Sequence, residues 1–495
     1  MDLTSIPQSV VDLSKRITHR GGRALLVGGA VIDLIQRSVP KDWDFEVFGL
    51  DYTDLERHMS DLSPKTVGRS FGTMKITLHD GVQVDLNIPR TDSKSGAGHA
   101  GFTVKTDPRM TFTEAARRRD ITINAMSLDI LTGEMIDPFG GRSDLIEGLI
   151  KATDFATFTD DPLRPLRVMQ LLARKGKRVD DKTMSLIRSM SSRFTELPKE
   201  RVFGEFSKLF LRATRPSVGL EFLRESGWIV HFPEIEAMIG CQQRHEWHPE
   251  GDVWTHSLLA ADASAQIRHT VPDRQREAFC FGVFLHDVGK PISTVTEKMI
   301  TERDPRVLAL AVENRKKPEE LFLTAYGHDV AGMEPAESFM RRMTDAWKVI
   351  DLVKGIVHHH MQPGNLNAGN ASRGAYARLH RKMVEIGGDL RLIGRMCQCD
   401  ACATSHDWKT RTLSGGSPSW DHESSAKVME HADAFDSDIS SVVQKVSGKD
   451  LIALGYKPGR EFGRILKDAL DIQFSDDCLS REEIISKMGL ERKVS

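Results

Sequence analysis

Cysteine is scarce in this 495-residue chain: there are six, unevenly spaced, and so few in so long a sequence make no disulfide framework and suit a reducing compartment. Also missing is any apolar run near the roughly 20 residues that a membrane span requires. The N-terminal Met1-Asp2-Leu3-Thr4-Ser5 lacks the charged-then-apolar pattern of an export signal, so a soluble, cytoplasmic protein with no membrane partner is expected. Net charge is small as well, at −2, so any nucleic-acid surface must be a local patch rather than a global field. The length exceeds one ordinary core and predicts two to four domains, which the 40% of hydrophobic residues suffices to fill.

What is present is organised around Leu25-Leu26-Val27-Gly28-Gly29-Ala30-Val31-Ile32-Asp33. A short apolar run ends at a glycine pair and an apolar-periodic segment follows, which reads as strand, tight turn and helix. Gly28 and Gly29 let backbone N–H groups approach a ligand closely, and the helix start behind them suits a triphosphate. Asp42 and Asp44 then sit two apart among aromatic and branched residues. A strand's period of two puts both carboxylates on one face, with Trp43 and Phe45 on the other. Two like charges side by side call for a cation between them, and hard oxygen ligands favour Mg²⁺.

These residues resemble the nucleotidyltransferase signature of the class II tRNA nucleotidyltransferases, the CCA-adding enzymes, and of the related bacterial poly(A) polymerases. One departure is plain: Ile32 stands where that family usually has arginine, so any charge that arginine brings to the triphosphate must come from elsewhere. The resemblance implies catalytic, Mg²⁺-holding roles for Asp42 and Asp44 and nucleotide contacts for Gly28 and Gly29.

Residues 1 to about 20 read as a helix with Ile6, Val10, Val11, Leu13 and Ile17 roughly on one face. Val67 to Leu78 and the alternating Val82 to Ile88 read as strands; Asp85 faces away from the apolar side, either as a third acid of the site or toward solvent. Ser93 to Gly101 has neither period nor apolar anchor and reads as a mobile loop, similar to the family's flexible loop beside the active site. In Arg117-Arg118-Arg119-Asp120-Ile121-Thr122-Ile123-Asn124, cations, an acid and an amide fall among apolar positions, which suits a partly buried polar site for ribose hydroxyls and phosphates. It resembles the family's second motif, matching at Arg118, Arg119, Asp120 and Asn124, and Asp137 to Gly141 then forms a turn.

Asp160-Asp161-Pro162-Leu163-Arg164-Pro165-Leu166-Arg167 opens a helical region. The acids and proline suit plain helix capping; alternatively, Asp161 and Arg164 at i and i+3 share a helix face. An acceptor beside a donor pairs with the Watson–Crick edge of cytosine or adenine and is mismatched to guanine and uracil, so one such pair selects C and A without a template. The segment resembles the family's Glu-Asp-X-X-Arg base reader with Asp160 in place of Glu, and Arg167 extends the nucleotide-binding set. Arg174, Lys175, Lys177, Arg178, Lys199, Arg201, Lys208, Arg212 and Arg215 form a local basic excess that suggests a phosphate-backbone surface.

From Cys241 the vocabulary changes to histidine. His256, His286-Asp287, His328-Asp329, His358-His359-His360 and Asp400 recur at separated points, and imidazole with carboxylate suits divalent transition metals. This is similar to the HD phosphohydrolase domain of some bacterial CCA-adding enzymes, which implies His256, His286, Asp287 and Asp400 as ligands of an unidentified Ni²⁺, Mn²⁺ or Co²⁺, with His328 and His358 near substrate. Cys397, Cys399, Cys402 and His406 offer a rival reading as a zinc knuckle. Ser414 to Ser419 reads as a linker, and Gly448 to Leu466 as helix, tight turn and helix, resembling the C-terminal segment of many CCA-adding enzymes.

The fold expected is α+β: a mixed α/β nucleotidyltransferase head (1–150), a helical neck and body (151–240), a helical HD domain (241–412) and a helical tail (420–495). The expected work is addition of C, C and A to tRNA 3′ ends from CTP and ATP, with a second, phosphatase or 2′,3′-cyclic phosphodiesterase activity. The alternatives are poly(A) polymerase, an enzyme adding only CC or only A, and a phosphohydrolase whose head only binds RNA. The sequence sets no oligomeric state.

Overall fold

A computed structural model describes residues 3–66, 72–94, 102–404, 422–439, 445–475 and 479–490. It resolves into two compact units, Met1–Leu209 with Val218–His231, and Phe210–Ser217 with Phe232–Ser495.

The first unit is built on a sheet whose strands, in chain order, are β1 (Arg23–Val27), β2 (Trp43–Phe48), β3 (Lys65–Thr66), β4 (Thr73–Thr77) and β5 (Gln83–Asn87). A separate hairpin, β6 (Arg90–Lys94) and β7 (Phe102–Thr106), follows, and then β8 (Ser127–Leu128) and β9 (Met135–Ile136) return to the sheet. Among the described residues this sheet has seven strands in the order β3-β4-β5-β2-β1-β8-β9. The apolar run Ala24 to Val27 is buried on both faces, as befits a central strand. In β5, Val84 and Leu86 are buried while Gln83, Asp85 and Asn87 take the other face. The pairing of β2 with β5 is parallel and sets Asp44 opposite Asp85 and Trp43 opposite Val84.

The helix Gln8–His19 starts behind Pro7 and buries Val10, Leu13 and Ile17, shorter than the sequence suggests because proline fixes its start. Ser93 and Lys94, expected in a loop, extend β6 by pairing with Thr103 and Phe102, while 95–101 lie outside the described residues, as do 67–71 of the strand expected from Val67.

The second unit is helical. Helices Val253–Ile267, Asp273–Leu285, Trp347–His359 and Leu390–Ala403 pack on one another around buried Phe279, Phe281, Phe284 and Phe339. Gly282 permits the close approach of two of these helices, since a Cβ there would lie 2.8 Å from Ile356. Helices Gly448–Ala453 and Arg460–Ser475 close a small apolar cluster with Leu451, Ile465, Ala469 and Ile484. The expected linker Ser414–Ser419 lies outside the described residues. Among the described residues, no helix is long and apolar enough to cross a membrane.

Candidate active sites

The glycine turn falls between β1 and the helix Gly29–Ile35, with Gly28 at φ +69°, a conformation that side chains disfavour. A Cβ on either glycine would meet no atom within 4 Å, so the surface there is open to a ligand. Asp42 precedes β2 and is exposed; Asp44 lies within it, half-buried, and Glu46 follows on the same face, 2% exposed. Trp43 and Phe45 pack into the core on the opposite side. Burial pushes the Asp44 carboxyl up and the like charge of Asp85 pushes it further, against the pull of Arg119. Asp85 accepts an ion pair from Lys75 at 3.1 Å. Asp85 thus sits beside Asp44 rather than facing solvent alone, and carboxylates are the hard donors that suit Mg²⁺.

Behind this face runs a buried chain of opposite charges. Arg118 donates to Glu46 Oε1 at 2.5 Å and Arg119 reaches Oε2 at 3.5 Å. Burial works against the Glu46 charge, but the two arginines outweigh it and hold the pKa below the usual range. Asp120, 6% exposed, accepts from Arg167 Nε at 2.7 Å, from Asn124 Nδ2 at 2.9 Å and from the Ile121 N–H at 2.9 Å. Burial raises its pKa, yet Arg167 and Asn124 bring it down to about 2. Arg118, Arg119, Asp120 and Asn124, expected to face ribose and phosphate, therefore spend much of their hydrogen bonding on one another's neighbours inside the protein.

The expected helix-face pair of Asp161 and Arg164 is corrected by the backbone. The helix runs Arg164–Lys175, and Asp161 precedes it with extended φ −102° and ψ 109°. Its carboxylate accepts from the Leu163 N–H at 3.0 Å and from Arg201 at 2.9 Å. Arg164 donates instead to the carbonyls of Thr157 (2.7 Å) and Arg118 (2.8 Å). The basic excess is also partly consumed: Lys175 binds Asp33 and Gln36, Arg178 binds Glu147, Lys208 binds Glu205 and Arg215 binds Asp262. Ile32 is 2% exposed and packs into the core.

In the second unit the distant histidines converge. His256 Nε2 lies 3.1 Å from His286 Nε2 and 3.2 Å from Asp400 Oδ1, and Asp287 Oδ2 lies 3.3 Å from His286 Nε2. His256, His286 and Asp400 bring their donor atoms within 4.8 Å of one another, a grouping that suits a divalent metal, and Asp287 groups in the same way with His328 and His360. Burial opposes the charged form of His256, but Asp400 and Glu250 hold its pKa up at about 9. Burial likewise opposes the Asp287 charge, and Lys290, 2.7 Å away, with His286 keeps it ionised far below the usual range. The cluster opens on a cavity of about 820 Å³ lined by His248, Asp287, Lys290, His328, His360 and Asp400.

His328 reaches that cavity, but His360 and not His358 joins it there, with the Nε2 atoms of His328 and His360 3.0 Å apart. Two positions along a helix differ by about 200° in direction, so His358 points elsewhere, its ring tilted against that of His359. Sequence reasoning also passed over Glu46, though it continues the period of Asp42 and Asp44, and over Glu250, whose Oε1 accepts from both His248 and His256. The cysteines do not form a knuckle: Cys397, Cys399 and Cys402 lie along one helix, and burial pushes the Cys397 thiol up to about 12. His406 lies outside the described residues.

Asp120 carries a pH prediction. Its folded pKa, about 2, is depressed below the unfolded value, so the stability it confers is present above about pH 4 and is lost as pH falls toward 2. In urea unfolding, the advantage of the wild type over Asp120→Asn should shrink by up to about 2 kcal/mol between pH 5 and pH 2. A difference independent of pH would contradict the assignment.

The chain is similar to known proteins. The profile of the poly A polymerase head domain matches residues 24–151, and that of the probable RNA and SrmB-binding site of polymerase A matches 178–239. The multifunctional CCA protein of Neisseria gonorrhoeae (strain NCCP11945) is 31% identical over 339 residues, 68% of this chain and 73% of that protein. The Bacillus stearothermophilus CCA-adding enzyme, solved in complex with CTP, aligns at TM-score 0.64 with 19% identity over 97% of this chain and 96% of that one. The Thermotoga maritima CCA-adding enzyme, solved with tRNA(CCA), aligns at TM-score 0.55 with 18% identity over 98% and 97%. A mixed α/β head with a largely helical remainder is common to this chain and those structures. With identity above 30% over more than two thirds of the Neisseria protein, the chain belongs to the class II CCA-adding enzyme family that includes the multifunctional CCA proteins.

Proposed function

We propose that this chain adds C, C and A to the 3′ end of tRNA from CTP and ATP, and that its histidine-rich pocket is a separate metal-dependent phosphohydrolase site. The observation that carries the first part is the register that sets Asp85 beside Asp44, on the face shared with Asp42 and behind the glycine turn. The name of the Neisseria relative and the CTP and tRNA held by the Bacillus and Thermotoga enzymes support it. In this reading residues 1–150 are the catalytic head, 151–240 read the base and guide tRNA, 241–412 form the HD domain, and 420–495 the tail.

The terminal ribose hydroxyl of the RNA attacks the α-phosphate, loses its proton, and pyrophosphate leaves. Mg²⁺ held by Asp42, Asp44 and Asp85 would supply the positive charge that this transfer needs on the hydroxyl and the phosphate oxygens. The backbone N–H groups at Gly28 and Gly29 receive the triphosphate. Glu46 aims Arg118 and Arg119, and Asp120 aims Arg167 and Asn124, so the nucleotide meets preset donors. Asp161, held by Arg201, and Arg164 read the base by hydrogen-bond polarity. Because Ile32 is buried, the cations for the triphosphate come from this arginine set.

The pocket of the second unit supports hydrolysis of phosphomonoesters or 2′,3′-cyclic phosphates at RNA ends, for His256, His286, Asp287 and Asp400 come from three helices or helix ends, and Asp287 and Asp400 line an open cavity. A divalent ion held by His256, His286, Asp287 and Asp400 would activate water and polarise a phosphoryl oxygen. Glu250 fixes the His256 ring through Nδ1, and Lys290 fixes the Asp287 carboxylate while adding a positive charge at the cavity wall.

Two experiments separate the parts. With tRNA lacking its 3′ end, the wild type should incorporate C and A and reject UTP and GTP, while Asp161→Ala should admit the wrong bases, losing roughly 1–3 kcal/mol of discrimination. Full rejection by Asp161→Ala would leave that carboxylate only its structural bonds to the Leu163 N–H and to Arg201. Second, His286→Ala with Asp287→Ala should remove metal-dependent phosphatase or phosphodiesterase activity and spare CCA addition. Hydrolysis that survives, or CCA addition that vanishes, would overturn the assignment of two separate sites.

A further inference from the structure

We propose that Lys175 is a positioning residue for nucleotide addition: by gripping Asp33 and Gln36 it ties the helix that reads the base to the helix that receives the triphosphate. The inference rests on reading the first unit as the nucleotidyltransferase and adds one residue to that machinery. Lys175 ends the helix Arg164–Lys175, and its Nζ donates to Asp33 Oδ1 at 3.0 Å and to Gln36 Oε1 at 2.6 Å. Asp33 lies in the last turn of the helix Gly29–Ile35 and Gln36 caps it, three positions on, so both acceptors share a face. The Lys175 side chain is 15% exposed, and two of the ammonium's three hydrogens are spent on these partners. It is thereby withdrawn from the phosphate-backbone surface to which its place in the basic cluster assigns it.

A nucleotide bound as proposed is held at its two ends by separate elements. The triphosphate meets the turn at Gly28 and Gly29, which opens the helix Gly29–Ile35, while the base meets Asp161 and Arg164 at the start of the helix Arg164–Lys175. Asp33 and Lys175 are 142 residues apart in the chain, so no local connection sets the distance between the two ends. The base-reading helix has 12 residues, a rod of about 18 Å. Its first turn is pinned to the ribose and phosphate motif, where Arg164 donates to the Arg118 carbonyl at 2.8 Å and Arg167 to Asp120 at 2.7 Å. Its last residue is pinned to the glycine-turn helix by Lys175. A rod held at one end pivots; held at both, it fixes one separation.

The charges suit this role. Lys175 stands at the C-terminal end of its helix, where a cation meets the negative end of the dipole. Ile32, next to Asp33 in the chain, is 2% exposed and brings no charge to the glycine-turn helix, so the cation that faces Asp33 comes from the base-reading helix. Asp33 is 30% exposed, and an ion pair so placed is a small part of the stability of the fold. Its effect on rate can be large all the same, because a displacement of about 1 Å at the reacting atoms costs on the order of 100-fold. Removing the grip should therefore slow the chemical step for C and for A alike, since both nucleotides span the same two helices. The choice of base, which depends on hydrogen-bond polarity at Asp161 and Arg164, should persist.

The test follows addition of C and A to tRNA lacking its 3′ end, measuring the maximal single-turnover rate and the half-saturating concentrations of nucleotide and tRNA. It compares the full-length wild type with Lys175→Met, Asp33→Asn, the two combined, and Lys175→Arg, with circular dichroism checking the fold. Each of the first two variants should lower the maximal rate by roughly 10- to 100-fold and leave the half-saturating concentrations nearly unchanged. The combined variant should be no slower than the slower single one, because both remove the same contact. Lys175→Arg, which restores the charge and the donors, should recover most of the rate. Should Lys175→Met fail to fold, Asp33→Asn, at the more exposed partner, decides. Wild-type rates in folded Lys175→Met, or losses that add in the combined variant, would overturn the tie while addition by the wild type leaves the nucleotidyltransferase reading standing. An unchanged maximal rate with weaker tRNA binding and a shallower salt dependence would place Lys175 on an RNA phosphate instead and overturn the tie as well. A wild type that adds neither nucleotide would sink both.

Discussion

A carboxylate taken out of water must be matched by positive charge, and that constraint shapes both units. Burying an ion costs several kcal/mol unless a partner and hydrogen bonds offset it. In the first unit Glu46 and Asp120 are matched within the chain by Arg118, Arg119 and Arg167. The acids in front of them, Asp42, Asp44 and Asp85, draw on Lys75 and on the field of Arg119, and Asp44 is still driven toward its neutral form. The matched acids build a rigid frame; the under-matched ones are where an external cation lowers the free energy most.

The same division appears around Asp287. Lys290 matches part of its charge, and four imidazoles, those of His256, His286, His328 and His360, stand beside its carboxylate. Each ring is set by an acceptor on its far side, three by carbonyls one helical turn back and one by Glu250. Rings so fixed would need no reorganisation to take up a metal, which is the geometric condition for tight, selective binding. Gly282 contributes indirectly, since its missing side chain lets the helix leading to His286 lie against the helix leading to His360.

Much of this was legible in the residues because strand period and apolar runs are local properties. The face shared by Asp42 and Asp44, the inward Trp43 and Phe45, and the burial of Val84 and Leu86 follow from alternation alone. The Asp44–Asp85 neighbourhood did not, because the parallel pairing of β2 with β5 is a register that separate strands do not encode. Asp160-Asp161-Pro162 resembles a helix start, yet the helix begins at Arg164 with Pro165 in its first turn, so Asp161 lies outside it and has no i,i+3 face to share with Arg164. Among three consecutive histidines, helix phase selects His360, and phase depends on where the helix packs. The matching of basic residues by acids far along the chain, as in Lys175 with Asp33, is likewise a tertiary fact.

We propose that the under-matched acids behind the glycine turn hold the metals for nucleotide addition to tRNA. The direct measurement is the rate at which Asp44→Ala incorporates labelled CTP and ATP into tRNA lacking its 3′ end, beside wild type and with circular dichroism confirming the fold. Loss of incorporation by a folded variant is the result predicted. Extension at near the wild-type rate would contradict the account.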